Sequence, residues 1–132
     1  MQKGRYIPGP DALQYIKEEV QRQLGHNMYL EEEKTAWEHH GWFLLRFRYI
    51  PKQYTVRIEG EFNGFNIRIE RKDTAFISLK DLLDSGCELT EEGIERAVAA
   101  MAQALETEIS FFKVIDGKRR REVDGVFKQI RK

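Results

Sequence analysis

Residues 41–71 read GWFLLRFRYIPKQYTVRIEGEFNGFNIRIER, and the fold turns on them. Phe43, Leu45, Phe47 and Tyr49 alternate with Leu44, Arg46 and Arg48. Tyr54, Val56 and Ile58 alternate with Thr55, Arg57 and Glu59, and Phe65, Ile67 and Ile69 with Asn66, Arg68 and Glu70. Successive side chains of a strand point to opposite faces, so a period of two predicts three half-buried strands at about 42–50, 53–61 and 65–71. The Pro51-Lys52 link is a turn, and Asn63-Gly64 favours a type I′ hairpin because both residues tolerate positive φ. A turn at 51–52 sets Phe47 against Val56 and Leu45 against Ile58. A turn at 63–64 sets Ile58 against Ile69, Glu59 against Arg68 and Arg57 against Glu70. Both hairpins then share one apolar face, and the polar face holds cross-strand ion pairs. A fourth strand is expected at about 74–79, with either Phe76 or the Ile77/Leu79 pair turned inward.

Helices flank the strands. Pro10 suits a first helical turn, Leu13, Ile16, Val20 and Leu24 form one stripe, and Gly25 stops it, predicting a helix over 10–24. Thr90 caps a second, with Glu91 and Glu92 at its start and Ile94, Val98, Met101 and Leu105 as its stripe, over about 90–108. Residues 26–40, with three consecutive glutamates, read as mostly irregular with an edge strand. Leu82 and Leu83 suggest a helical turn, and Asp84-Ser85-Gly86 a loop. Asp116-Gly117 and Asp124-Gly125 break the C-terminal stretch into short pieces. There Val126, Phe127 and Ile130 make a docked turn, and Lys118 to Arg121 stay in solvent. The expected fold is α+β, a two-layer sandwich of a three- to four-stranded antiparallel meander on two helices. One domain over 1–132 is expected, with a basic segment at 113–132.

The chain has 132 residues, of which 22 are Lys or Arg and 22 Asp or Glu, so its formal charge is zero. Neutrality excludes a protein that coats nucleic acid with its whole surface. The zero is a cancellation, because residues 81–112 carry eight acids against Arg96 and residues 113–132 carry eight bases against three acids. One cysteine, Cys87, excludes an intrachain disulfide. No apolar run is long enough to span a bilayer, and the N-terminus lacks the apolar stretch of a secretory signal. A reducing cytoplasm is therefore expected.

Catalytic motifs are scarce. Cys87 sits among acids, which raise a thiol pKa, and there is no phosphate-cradling glycine loop. Trp37-Glu38-His39-His40-Gly41-Trp42 is the one cluster resembling an active site, but adjacent histidines on extended chain diverge, so His39 and His40 are weak metal candidates. No cofactor is expected. The order α-β-β-β-α is also that of double-stranded-RNA-binding domains, yet the second helix opens Thr90-Glu91-Glu92 where theirs opens on lysines, so no family is assigned. The favoured function is a non-enzymatic module binding another protein through segregated charge and an aromatic sheet end at Trp37, Trp42 and Phe43. Its contact residues are Trp42, Arg46, Arg48, Arg119, Arg120 and Arg121, with a homodimer as one form of partner. The alternative is a nucleic-acid-binding protein using the basic tail with Arg46 and Arg48, and the third a metal-dependent hydrolase at His39/His40.

Overall fold

A computed structural model describes residues 6–83, 87–123 and 126–129. Its strands join in one antiparallel meander in chain order. They are β1 (Met28–Ala36), β2 (Trp42–Tyr49), β3 (Tyr54–Glu61), β4 (Gly64–Glu70), β5 (Phe76–Ser78), β6 (Phe112–Ile115), β7 (Lys118–Val123) and β8 (Val126–Gln129). Two long helices, α1 (Gly9–Leu24) and α3 (Glu91–Glu106), and a short one, α2 (Leu79–Leu82), complete the fold. The architecture is α+β, with eight strands among the described residues where three or four were expected.

The core forms where the stripes meet the apolar sheet face. Leu13, Ile16 and Val20 of α1 and Ile94, Val98 and Met101 of α3 are buried with Phe43, Leu45, Val56, Ile58, Ile67 and Ile69. Tyr15 donates to Glu95, tying the two helices together, and this bond lifts the phenol above its ordinary pKa. Gly25, at φ 52°, ends α1 in the left-handed region, as its sequence implies. Ile77 and Leu79 turn inward and Phe76 outward, which closes the open register of the fourth strand. No described helix is long and apolar enough to cross a membrane.

The stretch expected to be largely irregular contains the nine-residue edge strand β1. Its glutamates do not mark a solvated loop. A register shift between Leu30 and Glu32 offsets the strand, Glu33 reaches Lys17 of α1 at 2.9 Å, and Glu31 and Glu32 turn to the arginines of β2. The C-terminal stretch differs in its secondary structure: Lys118, Arg119 and Arg121 are exposed as expected but lie with Arg120 within β7, and Val126 and Phe127 lie within β8 instead of a docked turn. Asp116 and Gly117 both have positive φ, so the supposed break is a two-residue hairpin joining Ile115 to Lys118. Ile130, Asp124, Gly125 and the 84–86 loop lie outside the described residues.

The first hairpin pairs as expected, Phe47 with Val56 and Leu45 with Ile58. The second does not. Glu61 pairs with Gly64, so Phe62-Asn63 makes the turn and the partners shift by two residues. Two contacts accompany the shift. The Phe43 ring occupies the bare side of Gly60, where an added Cβ would sit 2.4 Å from it, and Phe65 closes the other flank of Gly60. Residues 87–89 also run beside the turn, with Phe65 N donating to Cys87 O at 3.0 Å and Leu89 N to Asn63 O at 2.9 Å. Gly64 is drawn into the strand, and Phe62 is left 65% exposed in the left-handed region. Gly60→Ala should therefore cost about 1–3 kcal/mol, the usual penalty of overpacking, read from urea denaturation.

Candidate functional site: an arginine row on the helix-free sheet face

Strand alternation divides the sheet. One face is covered by the helices, and the other carries Trp42, Arg46, Arg48, Thr55, Arg57, Arg68 and Glu70. The two-residue shift at β3–β4 decides how these lie. Arg46 pairs with Arg57, and Arg57 with Arg68, so three arginines stand directly opposite one another across β2, β3 and β4. The expected pairs Glu59–Arg68 and Arg57–Glu70 are absent, because Glu59 faces Asn66 and Glu70 faces Thr55. Like charges directly opposite destabilise a sheet, with Cβ atoms about 4.5–5.5 Å apart.

Carboxylates compensate this row in part. Arg48 takes Glu31 at 2.5 Å, while Arg46 has Glu31 and Glu32 only at 3.8 and 3.7 Å. Arg68 has Glu70 at 3.5 Å. Arg57, in the middle, makes no ion pair among the described residues. The Nε atoms of Arg46 and Arg68 are enclosed without a hydrogen-bond partner. A shallow groove of about 380 Å³ opens over Lys34, Leu44, Arg46, Thr55 and Arg57.

The row continues as a stack. Phe76 lies opposite Phe112, and the Arg68 guanidinium sits 4.0 Å from the Phe76 ring centre. Arg119 sits 3.8 Å from Phe112 and 5.5 Å from Phe76, and Arg121 lies 5.1 Å from Phe112. Guanidinium planes on rings gain cation–π attraction and keep their in-plane N–H edges free for anions. Arg119 thus lies beside Arg68 across Phe76, whereas Arg121 borders a cleft with Asp81 and Leu82 of α2 and Ala104 and Thr107 of α3. Arg120 alternates to the other side of β7, where its Nε is enclosed.

The aromatic sheet end also changes. Phe43 is fully buried, Trp37 packs on Gly9 and on Phe43 at 6.3 Å, and half-buried Trp42 donates to Glu59 at 2.7 Å. The free aromatic on this face is instead Tyr29, 63% exposed and opposite Arg48, which sequence reasoning missed because β1 was not resolved from loop. His39 lies 3.9 Å from Glu38, and His40 stacks on Phe62 at 4.3 Å. Among the described residues no three His, Cys, Asp or Glu converge as metal ligands. Burial pushes the Cys87 thiol above its ordinary pKa, more than Arg96 lowers it. No family model, curated protein or solved structure matches this chain.

The three C-terminal strands join the rest through one residue pair, Phe76–Phe112, so side chains must hold them. Arg71 binds Asp73 and Glu122 through two hydrogen bonds each, at 2.8–2.9 Å, beneath Phe111 and Phe127. Arg119 takes Asp81 at 2.6 Å. The Arg71 hydrogen bonds outweigh burial and hold the Asp73 carboxyl well below the usual range. Burial pushes Asp81 up, but Arg119 and the Ser78 amide bring it below normal. Depressed carboxyls stabilise the fold above their unfolded pKa, about 3.9, and lose that contribution as pH falls through the folded value. Amide shifts of β6–β8 should therefore be flat from pH 7 to about 5 and move below about 4. At pH 7, Asp73→Asn/Asp81→Asn should speed trypsin cleavage within Lys118–Arg121 several-fold while sites in α1 stay protected. Unchanged cleavage would remove these aspartates as the latch.

Proposed function

We propose that this protein is a non-enzymatic module that binds another protein, docking an acidic surface of its partner on the helix-free sheet face. The in-register row Arg46–Arg57–Arg68 carries this reading, since it is repulsive in the free chain and complementary to acid in a partner. Segregation of charge by face supports it. Helices α1 and α3 hold seven acids against three bases, whereas the eight strands hold eleven bases against seven acids. Tyr29, beside Arg48, adds an aromatic of the kind that anchors interfaces.

A protein partner fits this face better than a nucleic acid does. Glu32, Glu59 and Glu70 lie among the arginines and would repel a continuous phosphate backbone. The rings of Phe76 and Phe112 are already covered by guanidinium groups, so they offer bases no stacking platform. Binding to single-stranded RNA or DNA at low salt is the reading that the same experiment separates.

The test starts from the partner that co-purifies from the protein's own cell. Arg57→Glu/Arg68→Glu should weaken its binding at least ten-fold without changing the circular dichroism spectrum. Glu91→Lys/Glu92→Lys, on the helix side, should leave it unchanged. Equal binding by all three proteins would sink the reading. Anisotropy increases with short oligonucleotides that vanish in the arginine variant would favour nucleic acid instead.

A further inference from the structure

We propose that the groove over β1–β4 is a discrete oxyanion site, built around Arg57 to seat acidic side chains of the partner. This inference rests on the protein-docking reading of the face and names the chemistry of its central contact. Arg57 has an arginine directly opposite on each side, on β2 and on β4, and no ion pair of its own among the described residues. Neighbouring guanidinium groups therefore lie on strands about 4.8 Å apart, a spacing that one oxyanion can bridge. The Nε groups of Arg46 and Arg68 on either side point to Glu31 and Glu70 at 3.8 and 3.5 Å without hydrogen-bond geometry. A row of like charges is costly, and an anion laid across it relieves the repulsion.

Carboxylate fits this setting better than phosphate. Thr55 and Arg57 line the groove together with Glu32 and Glu70, whose charges limit the total negative charge it can accept. Two carboxylates on an acidic strand or helix can thread between those glutamates, whereas a polyphosphate would meet them. Arginine suits the task because its planar fork pairs with a carboxylate through two parallel bonds.

The test is a thermal melt of the full chain at constant ionic strength, with chloride, citrate or pyrophosphate as the anion. Citrate should raise the melting temperature of the wild-type protein by about 2–4 °C, the effect of a ligand several times above its dissociation constant. Arg57→Gln, without anion, should melt at or above the wild-type temperature, and citrate should no longer shift it. Arg96→Gln alters an exposed arginine of α3 on the helix side and should keep the shift. Arg68→Gln serves as the second variant if Arg57→Gln fails to fold. No citrate shift in the wild-type protein, or an equal shift in Arg57→Gln, would overturn the site. A larger shift with pyrophosphate than with citrate would overturn the carboxylate assignment. A wild-type protein without a citrate shift, whose partner binding still falls in Arg57→Glu/Arg68→Glu, removes the anion site alone. A citrate shift that is lost in Arg57→Gln, with partner binding unchanged in Arg57→Glu/Arg68→Glu, removes the docking reading alone.

Discussion

The Phe43 ring lies where the side chain of residue 60 would be, and Gly60 leaves room for it. This contact seats β2 on β3, and Phe65 on the other flank of Gly60 seats β4 two residues from the position that a turn at Asn63-Gly64 would set. Much else follows from that alignment. It moves the turn onto Phe62-Asn63, frees Gly64 to run beside residues 87–89, and sets Arg57 between two arginines instead of opposite Glu70. The register of β3 and β4, set with Phe65 beside Gly60 on the core side, thereby decides the electrostatics of the other side. The coupling is mechanical, because a two-residue shift keeps every side chain on its face but changes all of its partners.

The charge pattern acquires a direction in space. The acidic blocks of the sequence fall in two ways. Glu31 and Glu32 turn onto β2 and partly neutralise its arginines, whereas Glu91, Glu92 and Glu95 remain exposed on α3. The basic tail is spread across β6–β8 and fastened by Arg71 and Asp81. What remains is a molecule with an acidic helical layer and a basic sheet surface. Its central arginines are less well paired than those at its edge.

The candidate site was legible in part. Arg46, Arg48, Arg119, Arg121 and Trp42 were visible as basic or aromatic positions, and alternation along β2 puts Trp42, Arg46 and Arg48 on one face. Arg57 and Arg68 were discounted for a local reason. Asn63-Gly64 is the stronger hairpin signal, and the register it implies supplies each of them with a glutamate. Phe76 and Phe112 could not be assigned to the site, since their pairing joins strands 36 positions apart in the chain. The two Asp-Gly pairs near the C-terminus did carry a hairpin signal. Its strands were obscured because four consecutive bases lack the hydrophobic alternation that marks a strand.

The amino-acid sequence determined the elements whose signal is local. The period of two set the central strands, the three-and-four spacing set both long helices, and Gly25 and Thr90 set helix ends. It also determined the composition of each sheet face, because alternation is built into the backbone. Tertiary structure alone decided the β3–β4 register, the strand character of residues 28–36 and 112–129, and the inward turn of Ile77. Each depends on which distant group occupies a limited space, whether Phe65 beside Gly60, the 87–89 backbone beside Asn63 or β2 beside the glutamates. Local propensity contains no information about such competition, and the arginine row exists because of how it was settled.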